Sequence, residues 1–148
     1  MDTHIGPATP DDGPAILRLL RECELPTDGL LDHLNTAVVA RGDDGVVGSA
    51  ALEVYADGAL LRSVAVEATK RGSGLGSRLT ESELDLARTL TVPAVYLLTT
   101  TAEGFFPKLG FDRIERALVP AGVRASVEFQ SACPSTAIAM RKVLVDQA

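Results

Sequence analysis

The 148-residue sequence predicts an α/β domain built on a mixed sheet. Three observations predict it. A glycine-rich loop, Arg71-Gly72-Ser73-Gly74-Leu75-Gly76, joins an apolar, β-branched run at 60–66 to a stretch with helical spacing. Before it, two strand-like runs flank the turn Gly42-Asp43-Asp44-Gly45, which signals antiparallel pairing. After it, strand and helix patterns alternate.

In chain order, residues 4–8 read as a short first strand. Thr9 then offers an N-cap, Pro10 a first helical position, and Asp11 and Asp12 first-turn acids. The helix that follows carries Ile16, Leu19, Leu20 and Cys23 at i, i+3, i+4 and i+7, which places Cys23 on the apolar stripe. Pro26 breaks the pattern, and Leu30, Leu31 and Leu34 predict a second, short helix. Residues 37–41 and 46–55 read as hairpin strands around a loop longer than the two-residue type, and Ala56-Asp57-Gly58 turns the chain into the strand 60–66. Three antiparallel strands therefore precede the glycine loop. The next helix runs to about Leu90, with Leu75, Leu79, Leu86 and Leu90 near one face, Ser82 in the gap and Leu84 on another, which predicts cover on two faces. A strand at 95–100, a helix at 102–109 and a strand from Phe111 follow. Residues 117–134 carry little strand pattern beyond one short helix near Ala121, and their length predicts a binding loop or lid. Residues 136–145 form the last strand, with Ile138 and Met140 on one face.

Bulk properties narrow the function classes. A chain of this length is expected to form one domain, 1–148. No apolar run approaches the roughly 20 residues of a membrane span, and MDTHIGPATPDD lacks the basic and apolar regions of a signal peptide, so the expected location is cytoplasmic. Twenty acidic against 14 basic residues give a net charge of −6, which disfavours nucleic acid and anionic membranes as partners. Two cysteines, Cys23 and Cys133, make neither a disulfide framework nor a metal site.

The glycine loop nevertheless reads as an anion cradle. Glycines lack a Cβ, so the backbone turns tightly and presents several N–H groups to one anion, and the helix that starts at Gly74 or Leu75 adds its unpaired first-turn donors. Lys70, Arg71 and Arg78 supply cations. A Walker-type loop would need Lys and then Ser or Thr after its last glycine, and Gly76 is followed by Ser77-Arg78. A Rossmann loop would need an acid ending the next strand, which here ends in threonines.

With Arg71, Gly74 and Gly76, the loop resembles the Arg/Gln-x-x-Gly-x-Gly/Ala signature of the GNAT superfamily of N-acetyltransferases. Ala102-Glu103-Gly104-Phe105-Phe106-Pro107-Lys108-Leu109-Gly110-Phe111 resembles the same family's second motif. LRSVAV at 61–66, LLTTTAEGFFPKLGF at 97–111 and VRASVEFQSACPSTAIAM at 123–140 are similar to the small GNAT proteins linked to arsenic resistance.

The resemblance implies a GNAT-type mixed, mostly antiparallel sheet flanked by helices. It also implies acetyl-CoA as acetyl donor, no metal, a small-molecule amine as acceptor and a possible homodimer. A protein N-terminal or lysine acetyltransferase and a catalytically silent CoA-binding sensor are the alternatives.

By the same resemblance, Arg71, Gly72, Ser73, Gly74, Leu75, Gly76 and Ser77 hold the pyrophosphate. Backbone groups of Val64 and Val66 hold the pantetheine arm, with a nearby N–H polarising the acetyl carbonyl. Thr99 stands where many relatives have a cofactor-contacting Asn, and Phe106 where a tyrosine acid is common, so that the thiolate leaves unaided or water, Tyr55 or Ser63 takes the acid step. Glu53, an acid amid an apolar strand, is the candidate base, with a solvent-facing position as the alternative; His33 is a second candidate by residue type, or a bystander on a short surface helix. Arg62, Ser63 and Cys133 are placed on the acceptor side, Arg62 and Ser63 to bind an anionic group or merely to pair with structural neighbours, and Cys133 to meet an arsenical or simply to precede Pro134.

Overall fold

The computed structural model describes residues 3–100, 102–132 and 136–144. Its strands are β1 (His4–Pro7), β2 (Ala37–Gly42), β3 (Gly45–Tyr55), β4 (Gly58–Val66), β5 (Ala94–Thr99), β6 (Asp112–Arg113) and β7 (Ile138–Val143), in the sheet order β1-β2-β3-β4-β5-β7-β6. Every neighbouring pair is antiparallel except β4–β5. The α-helices are α1 (Gly13–Glu22), α2 (Leu75–Thr89) and α3 (Ala121–Arg124). The expected mixed, mostly antiparallel sheet flanked by helices is what the chain forms.

Alternating residues divide the core between the two sheet faces. Val38, Ala40, Leu52, Leu61 and Leu97 pack under α2. Their neighbours Ala37, Val39 and Ala51 face the other way, against Ile16, Leu19 and Leu20 of α1, while Leu60, Tyr96 and Ala139 lie under Val119 and Val123. A strand's period of two sends successive side chains to opposite faces, so both faces need cover. No described helix is long and apolar enough to cross a membrane.

Several local readings are corrected. Gly42 pairs with Gly45, so the β2–β3 loop is the two residues Asp43-Asp44 and not a longer one. Thr9 is the N-cap with Pro10 behind it, as read, but the turn it caps is a 3₁₀ segment, Pro10–Asp12, that precedes α1, and the Asp12 carboxylate accepts from the Thr9 N–H at 2.7 Å. The predicted helix at 30–36 is a 3₁₀ segment, Leu30–Thr36, that His33 leaves at φ −124°. The predicted helix 102–109 is reduced to turns and a 3₁₀ segment, Phe106–Leu109. Gly104 lowers helix propensity and Pro107 lacks an N–H, so an eight-residue stretch carrying both does not propagate an α-helix.

α2 buries one broad arc and not two faces. Leu75, Leu79, Thr80, Glu83, Leu84 and Ala87 are all buried, while Leu90 at the C-terminal end is exposed. Residues 117–132 hold more structure than their pattern suggested. α3 and a π-type turn, Glu128–Ala132, pack over β4, β5 and β7, and Asp57 Oδ2 accepts from the Gly122 N–H at 2.8 Å.

Candidate active site

The site begins with a fault in β4. Between β3 and β4 the register runs Ser49↔Ala65 and then Ala51↔Arg62, so β4 carries an extra residue around Ser63, whose φ is +59°. A left-handed non-glycine residue costs about 1–3 kcal/mol and persists where the surroundings over-determine it. The bulge bends β4 away from β5. Their parallel pairing is confined to Ala59↔Val95 and Leu60↔Tyr96, and beyond Leu60 the two strands part. The gap opens into a cleft of about 900 Å³.

The glycine loop forms one end of that cleft. Gly72 and Gly74 have φ of +84° and +81°, and a Cβ on either would meet no heavy atom within 4 Å, so both are required by backbone conformation and leave open space above the loop. Gly74 caps α2, whose first-turn residues Leu75, Gly76 and Ser77 border the cleft and direct unpaired N–H groups and the positive end of the helix dipole toward it. Ser73 is set back: its hydroxyl donates to Lys70 O at 2.6 Å, and it tightens the turn without bordering the cleft. Arg71 Nε donates to Val66 O at 3.0 Å and its Nη2 lies 3.4 Å from Cys23 Sγ. Cys23, read as a core residue, is thus half-buried against both the α1 cluster and the loop arginine.

Val64, Val66 and Thr99 line the walls of the gap. Thr99 Oγ1 accepts from the Ala102 N–H at 2.9 Å and so starts the turn that carries Phe106. Phe106 lines the cleft and packs edge-on against Phe105 and Phe111, with ring centroids 5.0 and 5.7 Å away. A phenyl ring has no proton to donate.

The opposite end is charged and buried. Arg62, with no side-chain exposure, donates through Nη1 to Glu53 Oε2 at 2.9 Å and Asp28 O at 2.6 Å, through Nη2 to Pro26 O at 3.3 Å and through Nε to Ser63 Oγ at 3.0 Å. Its Nε also lies 3.4 Å from Glu128 Oε2. Glu53 is 1% exposed, which corrects the solvent-facing alternative. Its Oε1 accepts from the Tyr55 hydroxyl and lies 3.6 Å from His33 Nε2. Burial, followed by the hydrogen bond to Glu53, pushes the Tyr55 phenol well above its ordinary value. Glu53 and Tyr55 stand behind Arg62 and do not border the cleft, whereas Arg62, Ser63 and Glu128 do. Cys133 lies outside the described residues.

Glu128 is the residue that sequence reading missed. It sits in a segment without periodicity, and only its being an acid in an otherwise apolar stretch, Val127-Glu128-Phe129, marked it.

The acetyltransferase (GNAT) domain family matches residues 33–113, more than half of the chain. The chain belongs to that family. The amino-acid acetyltransferase of Mycobacterium tuberculosis is 36% identical over 67% of this chain and 54% of its own length. That of Pasteurella multocida is 30% identical over 83% of this chain and 30% of its own. The chain therefore spans about half or less of these relatives. Among solved structures, an M. tuberculosis protein in complex with CoA superposes with a TM-score of 0.81 at 28% identity, covering 96% of this chain and 99% of that one. N-acetylglutamate synthase from Neisseria gonorrhoeae, complexed with coenzyme A and N-acetyl-glutamate, superposes at 0.84 over 99% of this chain and 36% of that one, and at 22% identity this shows the shared fold.

Proposed function

We propose that the chain works as a single acetyl-CoA-dependent N-acetyltransferase domain whose acceptor is the amine of a small, amino-acid-like molecule. The observation that carries this reading is the parting of β4 from β5 directly beside a glycine loop that caps α2. Three features of the cleft fit the donor: open space over Gly72 and Gly74, cations at Lys70 and Arg71, and strand edges freed at Val64 and Val66. The loop and the α2 N-terminus would hold the pyrophosphate, and the β4 edge the pantetheine arm. Bound there, the donor supplies an activated acetyl thioester. The chain's own task is to align an amine with it, exclude water and shelter the reacting atoms, and such alignment accounts for much of the rate in two-substrate transfers.

The amino-acid acetyltransferase relatives support the acceptor class. The resemblance of segments 61–66, 97–111 and 123–140 to arsenic-resistance GNAT proteins supports an arsenic-containing amino acid as one such acceptor. Acetyl-CoA titration, followed by a thiol-release assay over an amine panel, tests the reading. Tight acetyl-CoA binding with acceptor-dependent thiol release is expected. Binding without release from any amine would favour the silent sensor.

A further inference from the structure

The geometry points to Glu128 as the group that receives the acceptor's ammonium and takes its proton. This rests on the acetyltransferase reading and adds a catalytic residue to it.

The cleft has a direction. β4 runs from Arg62 and Ser63 to Val66, a span of about 10 Å at roughly 3.3 Å per residue, and then on into the glycine loop. An anion seated at the loop end puts the reacting end of an extended donor near the Ser63 bulge. The acceptor must arrive there. Two described acids border the cleft, Glu24 and Glu128, and Glu128, 4% exposed, is the one that meets Arg62.

Glu53 is placed for a different task. Arg62 stands between it and the cleft, and Arg62 Nη1 and Tyr55 each engage one of its oxygens. Proton exchange with an acceptor would require the Arg62 guanidinium to leave its hydrogen bonds to Glu53, Asp28, Pro26 and Ser63. Glu53 is therefore a positioning residue: it holds Arg62, and Arg62 Nε in turn holds Glu128 Oε2 at 3.4 Å. One guanidinium is divided between two carboxylates, with the tighter contact to Glu53. Among the described residues, the titratable and charged groups that meet Arg62 and Glu53 are Tyr55 from β3, His33 and Glu128.

The step balances without a further reagent. The acceptor ammonium gives one proton to the Glu128 carboxylate. The amine nitrogen then bonds to the acetyl carbon, the carbon–sulfur bond breaks with its electron pair on sulfur, and the nitrogen's second proton ends on the thiolate. Amide and thiol leave, and Glu128 returns its proton to water. No tyrosine acid is needed, which suits Phe106.

Glu128→Gln keeps an oxygen for Arg62 Nε and removes the base. Its affinity for acetyl-CoA should stay within about threefold of the parent, while kcat/KM for a primary amine such as alanine amide falls roughly 100-fold, mostly in kcat. Its acidic limb in kcat/KM against pH should shift, and calorimetry should show weaker alanine amide binding to the CoA-saturated variant. Glu128→Asp should recover part of the rate. If Glu128→Gln keeps kcat/KM within threefold of the parent and the same pH profile, the assignment is wrong. A parent that binds no acetyl-CoA overturns the acetyltransferase reading instead, and a parent that binds it but acetylates no amine overturns both.

Discussion

The two ends of the cleft are built by different means. The loop end is one continuous segment, residues 70–77, whose function lies in backbone conformation and in a helix terminus. The Arg62 end gathers side chains and carbonyls from four separated stretches, at 26–28, 53–55, 62–63 and 128. An anion cradle made of backbone tolerates changes in most side chains around it. A buried ion cluster does not, because each charge depends on its partners to offset lost hydration. The first should fail by losing ligand affinity, and the second by losing stability.

Glu53→Ala tests the second half and should show the largest effect. It strips Arg62, buried completely, of its closest carboxylate, and removing one partner of a buried pair costs about 3–5 kcal/mol. Urea unfolding should show that loss, with acetyl-CoA affinity per folded molecule little changed. A loss under about 1 kcal/mol would mean that the cluster is wetter than its burial implies.

Gly74→Glu tests the first half. A side chain at φ +81° is strained, and its charge would stand in the proposed pyrophosphate position, so acetyl-CoA affinity should fall at least about 100-fold, or roughly 2.7 kcal/mol. The space above Gly74 is open, so the protein should still fold, as circular dichroism would report. Unchanged affinity would detach the loop from the donor.

Glu83 lies in α2 and belongs to neither end. It has 0% exposure, both its oxygens and the nearby Thr80 Oγ1 lack a hydrogen-bond partner, and burial pushes its carboxyl up to about 9. Because the folded value is raised above the unfolded one of 4.5, the folded state holds the extra proton between these values. Stability is then fully present below pH 4.5 and declines as pH rises toward and through 9, by about 1 kcal/mol per pH unit. Glu83→Gln should flatten that decline across thermal melts from pH 5 to 8. A parent whose stability rises over that interval would contradict it.

The smallest effect is expected away from the cleft. The Arg41 side chain, 44% exposed, pairs with Asp12 at 2.5 Å and holds its carboxyl at about 2. With the folded value lowered, this contribution is present above the unfolded value of 3.8 and is lost as pH falls through about 2. Exposure screens it, so Arg41→Ala should cost under about 1 kcal/mol at pH 7 and leave both ligand-binding ends unchanged.

This contrast also explains what was legible beforehand. The loop 71–76, its strand and its helix were readable because each depends on neighbours within about 15 residues, through glycine conformations and apolar periodicity. Glu53 was noticed as an acid in an apolar strand, but its burial behind Arg62 depends on a partner nine residues away across β3–β4, and on carbonyls of residues 26 and 28. Glu83 was passed over because a helical stripe predicts apolar residues, and an acid in mid-arc breaks the pattern that defines the stripe.

By itself, then, the amino-acid order determined the strand and helix succession, the mixed sheet and the glycine loop at the start of α2, since these follow from local backbone preferences and side-chain period. Tertiary structure alone decided that β4 bulges at Ser63 and parts from β5, that Glu53 faces inward, and that Glu128 meets Arg62 across 66 residues of chain. Those outcomes depend on which distant groups share one buried volume, and no local preference carries that information.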